Sequence, residues 1–118
     1  MGGLTTHVLD VSQGRPASGV KFELWYLESG DTRTLMRTMY TNCDGRVDSP
    51  ILSGEQMQMG IYELVFFVAD YFRTQKVVLP DPPFLDVVPL RFGIADCDAH
   101  YHVPLLIAPG GYNTYRGS

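Results

Sequence analysis

Cysteine is scarce: Cys43 and Cys97 are the only two in 118 residues, and no CxxC pair occurs. Two distant thiols make neither a disulfide framework nor a zinc knuckle, so free thiols in a reducing compartment are expected. Charge is also sparse, at 19%, with nine basic against thirteen acidic residues and a net charge of -4. No basic stripe interleaved with aromatics exists, which argues against nucleic acid as a partner. No apolar run reaches the eighteen residues or so that a membrane span requires. Met1-Gly2-Gly3-Leu4 lacks the basic start and apolar stretch of a signal peptide, so a cytoplasmic protein is expected. HExxH, G-x-S-x-G and a phosphate-cradling glycine loop are all missing, leaving no support for a zincin, a nucleophile elbow or a nucleotide site.

What is present suits a globular domain. Hydrophobic residues make up 45% of the chain, and a chain of this length can bury about two-thirds of its unfolded surface. Twelve glycines and eight prolines punctuate short β-rich runs, the pattern of an all-β sandwich or barrel. Strands are expected over 4–11, 20–27, 32–40, 61–68, 85–93 and 100–107, with a last short one near the C-terminus. Turns are expected at Gln13-Gly14-Arg15-Pro16, Ser29-Gly30-Asp31, Asn42-Cys43-Asp44-Gly45 and Pro109-Gly110-Gly111. Only 69–76 reads as helix, for about two turns. Pro89 and Pro104 each remove a ladder donor, which calls for an edge, a bulge or an outward-pointing position. The expectation is one domain over 1–118.

The chain has three histidines. In a strand, His7 shares a face with Thr5, Leu9 and Val11, while His102 shares one with Pro104 and Leu106. The opposite faces of both strands are apolar too. One face fills the domain's own core, and the other should meet a second subunit or line a pocket. A histidine on each second face marks a candidate site, although two purely structural histidines would fit the same pattern. His100 and His102, at i and i+2, could join His7 in a three-histidine metal site, a further alternative. Arg46 directly follows the Asp44-Gly45 turn, where an arginine is ordinarily just solvated. Two tyrosines and an arginine stand near the C-terminus, which reads as a packed end.

These motifs resemble the transthyretin-like family. The stretch Leu4-Thr5-Thr6-His7-Val8-Leu9-Asp10, followed by Gly14, Pro16-Ala17, Gly19-Val20 and Leu24-Trp25, is similar to the family's N-terminal signature. Thr41-Asn42-Cys43-Asp44-Gly45-Arg46 resembles its second motif. His100-Tyr101-His102-Val103-Pro104-Leu105-Leu106, with Tyr112 and Tyr115-Arg116-Gly117-Ser118, resembles its third. The terminal tetrapeptide points to the branch of 5-hydroxyisourate hydrolases. Gly110 and Asn113 depart from that branch, which has an aromatic residue after the proline and a serine before the last Thr-Tyr.

The resemblance implies a sandwich of two four-stranded antiparallel sheets with one short helix. It also implies a homotetramer whose sites lie in a channel between dimers, with His7, Leu9, His102, Pro104 and Leu106 facing the channel. The implied reaction is hydrolysis of the cyclic amide of 5-hydroxyisourate without a cofactor or metal. His7 and His102 would activate water and move the proton, and Arg46, with Arg116, would orient the substrate and stabilise oxyanion charge. Ser118 would contact the water or substrate. Tyr115, Arg116, Leu9 and Pro104 would line the substrate pocket. The competing reading is a tetrameric carrier of a small aromatic ligand in the same channel. Such a ligand gains nothing from two imidazoles and a guanidinium.

Overall fold

In the computed structural model, residues 1–29 and 31–118 are described; Gly30, at the centre of one expected turn, lies outside them. Alternation decides the faces. Along β3 (Lys21–Leu27) Phe22 and Leu24 are fully buried, whereas Lys21 and Glu23 are half-exposed. Along β1 (Gly3–Asp10) Leu4, Thr6, Val8 and Asp10 point inward, and Thr5, His7 and Leu9 keep partial exposure. The period of two therefore places each histidine strand as expected.

The other elements are β2 (Arg15–Pro16), β4 (Arg33–Tyr40), β5 (Leu52–Ser53), β6 (Gly60–Phe66), α1 (Val68–Thr74), β7 (Val88–Ile94), β8 (His100–Ala108) and β9 (Gly111–Thr114). A single 3-10 turn, Gly54–Gln56, follows β5. One sheet runs β4-β3-β6-β7; the other runs β2-β1-β8-β9, with β5 also on β1. Phe22, Leu24, Leu64 and Phe66 from the first sheet meet Leu4, Val8, Leu105 and Ile107 from the second in one core. The Phe22 and Phe66 rings stack at 5.1 Å. Removing either ring would cost about 3–5 kcal/mol.

The all-β sandwich with one short helix forms, but the histidine sheet departs from the expected four antiparallel strands. It has five strands, and β1 and β8 pair in parallel, Thr5 opposite His102 and His7 opposite Pro104. Alternation reads the same in either direction, and no hairpin fixes the sense of strands so far apart in the chain. The strand expected from 85 begins only at Val88, because the Asp86 carbonyl accepts the Ala69 amide at the start of α1. Pro89 sits on edge strand β7.

Pro104 lies within the interior strand β8. Its carbonyl faces β9, accepting the Thr114 hydroxyl at 2.7 Å, and β9 ends at Thr114. The missing amide thus falls where the ladder has already stopped. The register resumes at a bridge between His102 and Gly117.

Asp10 anchors the far end of β1. It is fully buried and accepts hydrogen bonds from Ser12, Gln13 and the Tyr71 hydroxyl of α1, the last at 2.8 Å. Burial alone would raise its carboxyl, but these donors together outweigh burial and hold it below the ordinary range. Cys43 and Cys97 are both free thiols. No helix among the described residues is long and apolar enough to cross a membrane.

Candidate active site

The outward face of β1 and β8 carries Thr5, His7 and Leu9 beside His100, His102, Pro104 and Leu106. His7, Leu9, His102 and Leu106 are half-buried, Pro104 is buried and His100 is exposed. Four of the residues expected from the sequence, His7, Leu9, His102 and Pro104, thus share one patch. Among the described residues no three His, Cys, Asp or Glu side chains converge in metal-binding geometry.

His7 is held by a loop. Its Nε2 lies 2.9 Å from the Asp44 carbonyl oxygen. A carbonyl can only accept, so Nε2 carries the proton and the neutral ring's lone pair is on Nδ1. The loop is wound on Asn42, whose Oδ1 accepts the amides of Asp44 at 2.9 Å and Arg46 at 3.1 Å. It docks on the edge of β1 through the Val8 amide, which donates to the Gly45 carbonyl at 2.8 Å. Gly45 has φ +75°, and a Cβ there would run into the Val8 carbonyl oxygen. Only glycine satisfies both conditions.

His102 is held by a hydroxyl and a strand. Thr5 Oγ1 lies 2.8 Å from His102 Nδ1 and 3.2 Å from His100 Nε2. On the other side the Gly117 amide donates to the His102 carbonyl at 2.8 Å. A Cβ on Gly117 would stand 2.6 Å from His102 Cδ2, so the absence of a side chain lets this segment lie against the imidazole.

Both rings resist protonation. Burial lowers the pKa of His7 first, and the Arg46 guanidinium lowers it further. Burial again leads at His102, followed by Arg46 and by the neighbouring His7 and His100. One exposed cation, Arg46, therefore acts on both imidazoles, and both are neutral at pH 7. Two neutral imidazoles beside a permanent cation can accept a proton, donate one and stabilise an oxyanion.

Not every expected residue joins this patch. Arg116 stacks on the Tyr101 ring at 4.1 Å and donates to the His100 carbonyl at 3.3 Å. Tyr101 points away from the histidine face, so the Arg116 guanidinium lies on the other side of β8. Tyr115 is exposed and, with Arg116, Tyr101, Val103 and Phe92, borders a groove of about 560 Å³ at the β7–β9 edge. Ser118 is exposed, one residue beyond the bridge to His102. Sequence reasoning passed over Thr5, Asn42 and the Asp44 carbonyl as site-forming groups. The Asn42-Cys43-Asp44-Gly45 turn was itself legible as an Asx-type turn, but its contact with His7 was not.

The HIUase/Transthyretin family matches residues 4–117. The protein of Rhizobium meliloti (strain 1021) named 5-hydroxyisourate hydrolase 2 is 63% identical over 117 residues, covering 99% of this chain and 97% of that protein. The solved structure of Klebsiella pneumoniae 5-hydroxyisourate hydrolase superposes with a TM-score of 0.79 at 33% identity, covering 100% of both chains. Sea bream transthyretin in complex with thyroxine superposes with a TM-score of 0.87 at 24% identity, covering 98% of this chain and 94% of that one; this similarity concerns the fold. With its signature residues, its sandwich and its full-length relatives in agreement, the chain belongs to the HIUase/transthyretin family.

Proposed function

We propose that this chain hydrolyses the cyclic amide of 5-hydroxyisourate, using histidine-activated water and arginine stabilisation, with no cofactor. The observation that carries the reading is the pair of imidazoles, His7 and His102, kept neutral beside Arg46 on one sheet face. The names borne by the full-length relatives supply the substrate.

His7 is the general base. Its Nε2–H is committed to the Asp44 carbonyl, which leaves Nδ1 to take a proton from water. The hydroxide adds to the amide carbonyl, and Arg46 stabilises the developing oxyanion. As the C–N bond breaks, its electron pair goes to nitrogen, which takes a proton from His102 Nε2. Leu9, Pro104 and Leu106 give the flat substrate an apolar floor. Gly117 brings the C-terminal segment against His102 beside that floor, and Ser118 follows it by one residue, whereas Tyr115 and Arg116 border the groove on the other side of β8.

In one chain this face is uncovered, and a site on an open sheet face gains water exclusion only when another copy covers it. A homotetramer with the site in a channel between dimers meets that need. The cytosol is the expected compartment. Following the ultraviolet absorbance of freshly generated 5-hydroxyisourate with and without the protein tests the reading. Accelerated loss of the signal supports it, and decay at the spontaneous rate refutes it.

A further inference from the structure

The Thr5 hydroxyl has a single proton and two imidazole nitrogens within reach, His102 Nδ1 at 2.8 Å and His100 Nε2 at 3.2 Å. It donates to one, so the other must carry its own proton and donate to Oγ1. The tautomers of the two rings are therefore linked. When Thr5 donates to His102 Nδ1, His102 holds its proton on Nε2 and His100 holds one on Nε2. When His102 Nδ1 donates to Thr5, the Thr5 proton goes to His100 Nε2, and His100 holds its own on Nδ1. The three groups sit at consecutive points of the parallel register, Gly3 opposite His100 and Thr5 opposite His102. His102 is half-buried and His100 is exposed, so the line runs from the site to solvent. Arg46 acts on His102, and Arg116 is occupied at the His100 carbonyl.

We infer that Thr5 and His100 form a proton relay that sets the tautomer of His102 and supplies a proton at its Nδ1 as Nε2 gives one up; the assignment rests on the hydrolase reading. As His102 Nε2 gives its proton to the departing amide nitrogen, Nδ1 takes the Thr5 proton. Thr5 Oγ1 takes the proton from His100 Nε2, and His100 takes one from water at Nδ1. Each group ends neutral with one proton, and only the tautomers have changed. The starting tautomers return when the proton held by His7 passes through water to His102 Nε2 and the line runs in reverse, His102 Nδ1 giving to Thr5, Thr5 to His100 Nε2, and His100 Nδ1 returning its proton to the hydroxide in solution. Thr5 and His100 are thus positioning residues, acting through His102 and not on the substrate.

The test compares Thr5→Val, Thr5→Ser, His100→Asn and the Thr5→Val/His100→Asn double variant. Valine keeps the β-branched shape and removes the hydroxyl. Each of the first and third variants should lower kcat about tenfold with KM unchanged. Thr5→Ser should stay near wild type, and the double variant should lose no more than either single one, because a broken line cannot be broken twice. Imidazole added to the buffer should restore much of the loss in His100→Asn. A Thr5→Val enzyme with wild-type kcat, or a His100→Asn loss that imidazole leaves unmoved, overturns the relay. Side-chain ¹⁵N spectra of His102 give a readout independent of substrate. They should show one dominant tautomer in wild type and Thr5→Ser, and a mixture in Thr5→Val; identical spectra in Thr5→Val and wild type overturn the relay. A wild-type protein inert toward 5-hydroxyisourate would instead refute the hydrolase reading, and the spectra would still decide the link between Thr5 and His102.

Discussion

His7 Nε2 donates to the carbonyl oxygen of Asp44 at 2.9 Å, so the imidazole on β1 is aimed by a loop some forty residues further along the chain. The loop reaches that position because Gly45, at φ +75°, brings its carbonyl to the Val8 amide without a Cβ in the way. A Gly45→Ala enzyme should lose about 1–3 kcal/mol of stability. It should also lose activity by about tenfold or more, since a misplacement of about 1 Å at a catalytic group can cost on the order of 100-fold. Asn42→Ala should act in the same direction by freeing the Asp44 and Arg46 amides. Urea melts and initial rates on the same samples check both.

Gly117 gives the matching case at His102. Its Cβ would stand 2.6 Å from His102 Cδ2, so Gly117→Ala must turn the ring or break the bridge. The position is close to the end of β8's partner segment and outside the core. Activity should fall about tenfold or more, while the thermal midpoint stays near wild type. A Gly117→Ala enzyme of normal kcat would show that this segment does not set the ring.

The acid limb of the pH profile follows from the two depressed histidines. Their pKa values lie below the ordinary 6.5 or so, so the neutral, active forms persist at neutral pH. The ratio kcat/KM should hold at pH 7 and fall only as the pH drops below the ordinary histidine range. Arg46 lowers both values, so Arg46→Gln should raise them and move the acid limb to higher pH. Titrating the histidine C2 protons by NMR checks the shift even where Arg46→Gln has little turnover. The same sign governs stability. The unfolded chain binds protons that His7 and His102 resist, so their contribution is present above about pH 6.5 and declines as pH falls.

Assembly offers a separate check. With Leu9, Pro104 and Leu106 on the open face beside the histidines, light scattering should give about four times 13.2 kDa. A monomer with full activity would contradict a site completed between copies.

The faces of β1 and β8 were legible because alternation is a local property: Thr5, His7 and Leu9 separate from Leu4, Thr6 and Val8 by period alone. The parallel sense of the β1–β8 pair was not, since nothing near either strand encodes it. The Thr5–His102 contact depends on that register, so it was hidden as well. Arg46 could be singled out by its turn, but the effect of its charge on both imidazoles is a tertiary fact. Arg116 shows the limit of motif reading. Gly117, next to it in sequence, lies against His102, whereas the Arg116 guanidinium stacks on Tyr101 on the other side of β8. The two-residue strands β2 and β5 carry no periodicity and exist only as partners of β1.

The most direct test of the central claim is the rate at which freshly generated 5-hydroxyisourate loses its ultraviolet absorbance, measured with wild type, His7→Asn and His102→Asn. The account predicts rapid loss with wild type and a rate lower by on the order of 100-fold or more for each variant, with all three proteins folded. Wild type that leaves the spontaneous rate unchanged, or variants that match wild type, would contradict it.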